Sequence, residues 1–259
     1  MDYQTITLDI NDGLAVLTLN RPDKMNALTT QMRAEITFAM RDTASKARAI
    51  VLTGAGNAFC SGQDLGDASN SGGAPDMERT LRDEYTPMLE SVVECPVPTI
   101  AAVNGPAAGA GANLALAADV VIATESAYFL QAFARIGLMP DAGGTWLLPH
   151  KMGMAKAMGA ALFADRISAK QADDWGMIWE SVPDTDFDAH WRKRATWLAT
   201  GPSMAFGAIK QSIRGAYQKT LAEQLLVEAH MQGELGQSRD FMEGVSAFLE
   251  KRPAKFEGR

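Results

Sequence analysis

Three short segments built largely of glycine and alanine constrain this 259-residue chain more than any other feature. They are Phe59-Cys60-Ser61-Gly62-Gln63-Asp64-Leu65, Asn104-Gly105-Pro106-Ala107-Ala108-Gly109-Ala110-Gly111 and Gly137-Leu138-Met139-Pro140-Asp141-Ala142-Gly143-Gly144-Thr145. Small residues let one stretch of main chain approach another, or a ligand, closely. Taken singly, each segment reads equally well as a tight bend or a close helix contact. The first two follow strand-like runs and the second opens a helix, so together they read as the turns of a repeated strand-turn-helix pattern.

The flanking sequence fits that pattern. Residues 3–10 and 14–20 alternate around Asn11-Asp12-Gly13, which predicts a hairpin. Thr29-Thr30 precede apolar residues at helical spacing through Lys46, and Ile50 to Thr53 reads as a buried strand, giving the order β-β-α-β. A helix is expected over 77–94, strands over 98–103 and 120–123, and a turn followed by a helix over 105–118. From about Met152 onward the chain reads mostly helical through Leu249, with Pro202 in a first turn and the Pro253 region as a tail. The polar, glycine-rich stretch from Gly54 to Pro75 reads as a functional or mobile loop. A mixed α/β core over residues 1–200 followed by a helical region over 201–259 is the expected organisation.

Charge and motif content narrow the function classes. The formal charge of −7, with no dense run of Lys and Arg, argues against nucleic acid as a partner. Only Cys60 and Cys95 are available for a disulfide, which fits two separate thiols in a reducing compartment. Met1-Asp2-Tyr3-Gln4-Thr5 lacks a signal-peptide start and the apolar stretches are interrupted by Gly, Asn or Asp, so a cytoplasmic protein that does not enter the membrane is expected. Gly54-Ala55-Gly56 and Gly109-Ala110-Gly111 lack the third glycine of a dinucleotide fingerprint, and P-loop, zinc-protease and serine-hydrolase motifs are missing. His150, His190 and His230 lie far apart in sequence, so no metal site is expected.

What the glycine-rich turns can do is present free N–H groups and a positive helix end to one anionic oxygen. These segments, with Asn20-Arg21-Pro22 and Met25-Asn26-Ala27-Leu28, resemble the crotonase (enoyl-CoA hydratase/isomerase) superfamily over essentially the full length. The resemblance implies a spiral of repeated β-β-α units ending in a C-terminal helical trimerisation region. It implies that the amides of Gln63 and Ala110 hold a thioester carbonyl. Met25, Ala27, Ser61, Asp64 and Leu65 would lie along the nucleotide end of an acyl-CoA, and Gly109, Asn113, Phe133 and Met139 would also touch substrate. Coenzyme A would enter as part of the substrate, with no separate cofactor. Hydratases of the superfamily carry two glutamates at the positions of Asn113 and Phe133, and neither residue here can transfer a proton. Asp141 stands where isomerases and a dehalogenase of the superfamily are similar in placing a carboxylate, so the resemblance makes it the catalytic proton carrier. Ahead of Gly143-Gly144-Thr145 it is also well placed to cap a helix.

Longer runs, including Gly137 to Leu148, Trp175 to Trp179 and Glu243 to Leu249, resemble the isomerase branch that rearranges a ring epoxide on an acetyl-CoA arm into an oxepin. Straight-chain enoyl-CoA isomerisation is the alternative, with hydration, aroyl-CoA dehalogenation and CoA binding without catalysis behind it. Asp64 is expected to brace its loop, and Cys60 to be a packed thiol. Phe133, Leu138, Met139 and Trp146 are expected as walls for the acyl group. The resemblance further implies a homotrimer or a pair of trimers, with Phe248, Lys251 and Phe256 reaching a neighbouring site.

Overall fold

In the computed structural model, which describes residues 2–66 and 76–259, the hairpin is the first element. β1 (Ile6–Asn11) and β2 (Leu14–Leu19) pair antiparallel with Asn11 opposite Leu14. Asp12 and Gly13 between them have φ of 48° and 79°, the left-handed pair that a two-residue turn matching the strand twist demands. α1 (Thr30–Thr43) starts at Thr29, whose side chain accepts from the Met32 amide, and β3 (Ala49–Gly54) returns parallel to β2. A helix–π turn–helix run (Met77–Thr80, Leu81–Tyr85, Thr86–Val93), α2, leads to β4 (Thr99–Val103). Short β5 (Ala107–Ala108) and α3 (Ala110–Ala117) follow, then β6 (Val120–Thr124) and β7 (Tyr128–Leu130).

The remaining elements are α4 (Gly144–Phe163), β8 (Arg166–Ser168), α5 (Ala169–Asp174), β9 (Glu180–Val182) and α6 (Phe187–Thr200). After them come α7 (Ser203–Ala216), α8 (Leu221–Leu235) and α9 (Arg239–Glu250). The main sheet has the order β1-β2-β3-β4-β6-β9, parallel beyond the first pair, and a three-stranded sheet has the order β5-β7-β8. Both faces of the main sheet are covered, as a parallel sheet requires. Ile50 and Leu52 of β3 pack into the cluster that holds Met32 and Ile36 of α1, while Val51 packs with Ile100, Ile122 and Trp191 on the other face. Alternation along one strand therefore feeds two cores.

Three expectations need correction. The late helix begins at Gly144 rather than near Met152, and it is broken at Gly153, whose φ of 76° and ψ of 162° are not helical. The region expected to be mostly helical also contains β8 and β9, three residues each, too short to display a period of two and paired with distant strands. Pro202 stands at the N-cap of α7, outside its first turn. The expected tail carries no helix or strand beyond Glu250 but is anchored. Buried Asp240 accepts from the amides of Glu257 and Gly258, and Arg48 donates to the Phe256 carbonyl. Of the expected loop, residues 54–66 are held by bridges from Leu28 to Gln63 and from Cys60 to Ala107, and 67–75 lie outside the described residues. Among the described residues no helix is long and apolar enough to cross a membrane.

Candidate active site

One side of the candidate site is main chain. The turn 59–65 is laced to the segment 25–28: Ser61 N–H donates to the Met25 carbonyl (3.0 Å), Leu28 N–H to Gly62 (2.8 Å) and Asp64 N–H to Leu28 (3.0 Å). That ladder uses the N–H groups of Ser61 and Asp64 and the Gly62 carbonyl, and leaves the Gln63 N–H without an acceptor among the described residues. Gly62, at φ 96°, presses against the start of α3, where an added Cβ would stand 2.9 Å from the Ala108 carbonyl oxygen and 3.6 Å from the Ala110 nitrogen. Gly109 enters α3 at φ 52° and ψ −129° and gives its N–H to Leu130 (2.8 Å), so Ala110 offers the next amide, also unclaimed. Two N–H groups without acceptors among the described residues, one of them opening a helix, suit an oxygen that gains negative charge, each worth about 2.7–4 kcal/mol in a transition state.

The other side is a single carboxylate. Asp141 follows Pro140, is half-buried, and among the described residues its side chain meets no cation and no donor beyond its own backbone N–H. Burial pushes its pKa up to about 6. The N-cap of α4 is Gly143, with no side-chain cap, so Asp141 is not a helix cap. Its backbone carbonyl is instead held twice, by Gly144 N–H (2.8 Å) and by Asn113 Nδ2 (2.8 Å) from α3. The two sides meet at Tyr85. Its hydroxyl donates to Gln63 Oε1 (3.4 Å), and burial raises its pKa, with the charge of Asp141 adding to the push. Such a carboxylate can take a proton from carbon and return it while the amides hold the resulting enolate oxygen.

The enoyl-CoA hydratase/isomerase family model matches residues 9–259. The chain belongs to that family. A "probable enoyl-CoA hydratase" of Rhodobacter capsulatus is 61% identical over 259 residues, covering all of both chains. The 1,2-epoxyphenylacetyl-CoA isomerase of Escherichia coli is 45% identical over 254 residues, covering 96% of this chain and 97% of that one. The enoyl-CoA hydratase structure from Bacillus anthracis superposes with a TM-score of 0.92 at 30% identity, covering 99% and 100%. The expected crotonase architecture is therefore the observed one.

The structure places the expected residues as follows. Met25 (55% exposed) and Leu65 (67% exposed) stand open beside the laced turns, Ser61 lies between them, and Ala27 is buried with its carbonyl accepting from Arg21. Asp64 braces its loop through an ion pair with Arg21 (2.8 Å) and a bond to the Gly66 amide. Cys60 is fully buried and its thiol is pushed up to about 12, a packed group rather than a nucleophile. Phe133 is buried, with its ring edge 3.7 Å from where a Cβ on Gly109 would be, and Met139 is exposed.

Asn113 is a correction. It is wholly buried and both ends of its amide bind protein, Nδ2 to Asp141 and Oδ1 to Gln131 Nε2 (2.9 Å), so its side chain cannot line the substrate. Trp146 is another, since its ring stacks on His150 at 4.3 Å and faces a cavity between α4 and α7. Phe256 packs beside Gly244 of its own chain. Sequence reasoning missed a supporting layer: Arg33, buried and paired with Glu84 (2.6 Å), reaches the Leu28 carbonyl and the Tyr85 hydroxyl. Asn26 clips the 25–28 turn to the carbonyls of Ala55 and Ala58. Only Asn26 carried a signal, through the Asn-Arg-Pro motif that precedes it.

Proposed function

We propose that this enzyme isomerises acyl-CoA thioesters, with Asp141 moving the proton and the Gln63 and Ala110 amides holding the thioester oxygen. The observation that carries the reading is one half-buried carboxylate that meets no cation among the described residues, with a pKa of about 6, while the positions where the resemblance places hydratase glutamates hold buried Asn113 and Phe133. A group titrating near working pH both accepts and returns a proton efficiently. The proton leaves the carbon next to the carbonyl, the electron pair moves onto the thioester oxygen, and the proton returns further along the conjugated system. Substrate and product have one composition, and coenzyme A enters only as the substrate's carrier.

The substrate we assign is ring 1,2-epoxyphenylacetyl-CoA, which becomes an oxepin thioester, with double-bond shifts in dehydroadipyl-type thioesters as a second use of the same site. The 45% identity to a 1,2-epoxyphenylacetyl-CoA isomerase over nearly the whole chain supports this choice. A homotrimer or pair of trimers would cover the exposed Phe248 and Leu249 of α9. Straight-chain enoyl isomerisation needs the same amides and carboxylate, and a trans-2-decenoyl-[acyl-carrier-protein] isomerase of Streptococcus mutans is 31% identical.

The test is a panel of ring-epoxide, straight-chain 3-enoyl and 2-enoyl thioesters read by product mass and ultraviolet change. Conversion of the ring epoxide without change of mass is expected. A product heavier by one water from the 2-enoyl thioester, formed faster than any isomer, would make the protein a hydratase, as the name of the Rhodobacter relative has it. Turnover of the straight-chain thioesters alone would move it to the fatty-acid isomerases.

A further inference from the structure

Asn113 sits one turn into α3, the helix whose first amide belongs to Ala110. Its Nδ2 donates to the Asp141 carbonyl at 2.8 Å, and Gln131 Nε2 donates to its Oδ1 at 2.9 Å, which fixes which end of the amide faces Asp141. The fit is close: a Cβ on Gly144 would come within 2.5 Å of Asn113 Nδ2. The loop so held is not a relaxed one. Ala142 has φ 46° and Gly143 φ 78° directly after Asp141. A left-handed residue with a side chain persists only where its surroundings over-determine it. The Asp141 carbonyl, gripped by Gly144 on one side and Asn113 on the other, is where that constraint is applied.

We infer that Asn113, locked by Gln131, is the positioning residue for Asp141, tying the carboxylate to the helix that presents the Ala110 amide. This rests on the proposed role of Asp141. Because α3 carries both the strut and the amide, the loop that bears the carboxylate is tied to the same helix that presents the donor. Gln131 keeps its own Oε1 buried and without a partner among the described residues, a polar cost that the lock on Asn113 helps to offset.

The experiment compares Asn113→Leu, Gln131→Leu, Asp141→Asn and the Asn113→Leu/Asp141→Asn pair, each measured for kcat, KM and thermal midpoint on the best substrate of the panel. Leucine keeps the volume and removes the donor. Expected is a fall in kcat of about 100-fold for Asn113→Leu, the scale of a displaced catalytic group, with KM within about threefold. Gln131→Leu should lower kcat less, because Asn113 remains but is free to turn. In the pair, loss of Asn113 should cost nothing beyond Asp141→Asn, since a strut cannot misplace a group already gone.

Wild-type kcat in Asn113→Leu, or a further fall in the pair equal to that of the single change, would overturn the inference while leaving Asp141 its role. Full activity in Asp141→Asn would instead overturn the role itself. Should Asn113→Leu fail to fold, Gln131→Leu decides by the same comparison, and unchanged kcat there counts against the lock.

Discussion

The two sides of the site are held in opposite ways. On the amide side, the donors belong to backbone that several ladders fix at once: three hydrogen bonds between 25–28 and 61–64, and the bridge from Cys60 to Ala107. Gly62 and Gly111 there have no room for a Cβ; at Gly111 one would lie 2.4 Å from the Cys60 carbonyl. On the carboxylate side everything depends on one side chain, aimed by one carbonyl with two donors. The first side should tolerate changes of side chain and reject added bulk. The second should fail on a single-atom change in Asp141 or on loss of the strut that holds its carbonyl.

The largest effect should follow Asp141→Asn, which leaves shape and loop intact and removes the proposed base. A loss in kcat of about 10²–10⁴ is expected, with acyl-CoA affinity nearly unchanged, read by steady-state kinetics and calorimetric titration. The same change should raise the thermal midpoint at pH 7, because a carboxylate that burial holds ionised at a cost is gone. A variant as active as the wild type would leave the carboxylate side without a function. Next comes Gly62→Ala, which places a Cβ 2.9 Å from the Ala108 carbonyl at φ 96° and must shift the Gln63 or Ala110 amide. Losing one donor is expected to cost about 10²–10³ in kcat. If Gly62→Ala is silent, the amides are not where the charge develops.

Titration separates the two sides further. Folding raises the Asp141 pKa from its ordinary 3.8 to about 6. The ionised base is therefore lost below pH 6, and kcat/KM should fall there by about tenfold per pH unit. The same shift has a stability sign. The folded chain binds this proton more tightly than the unfolded one, so Asp141 favours folding at low pH and that contribution is lost as pH rises through about 6. Gly62→Ala should keep the acid limb at a lower plateau, and the residual activity of Asp141→Asn should lack it.

The contrast also explains what could be read from sequence. The amide side is written in local signals, since glycine recurs where backbone meets backbone, as at Gly62 and Gly111, or where φ is positive, as at Gly109. Asp141 was legible as a residue type in a glycine-rich turn. Its support was not: Asn113, Gln131 and Asp141 converge from 18 and 28 residues apart, and nothing local distinguishes a buried strut from a ligand contact. Arg33, Tyr85 and Glu84 read as ordinary helix positions until α1 and α2 pack and bring Arg33 to the back of the Gln63 turn. Strands β7, β8 and β9 escaped for a related reason, their three-residue lengths being set by partners elsewhere in the chain.

The smallest expected effect is the most discriminating. Gln63→Ala keeps the main-chain N–H and removes only an acceptor that Tyr85 reaches at 3.4 Å, a long bond. Tyr85 stays fixed by its own burial and by Arg33, whose guanidinium lies 4.6 Å from the ring centre and is held by Glu84. The turn itself is held by the 25–28 ladder, none of whose bonds involves the Gln63 side chain. The amide should therefore stay in place, and kcat should change far less than the about 10²-fold that loss of a donor brings. A loss as deep as that of Gly62→Ala, with the fold intact by circular dichroism, would mean that the Gln63 side chain itself acts on the substrate. The division between a side built of backbone and a side built of one carboxylate would then not hold.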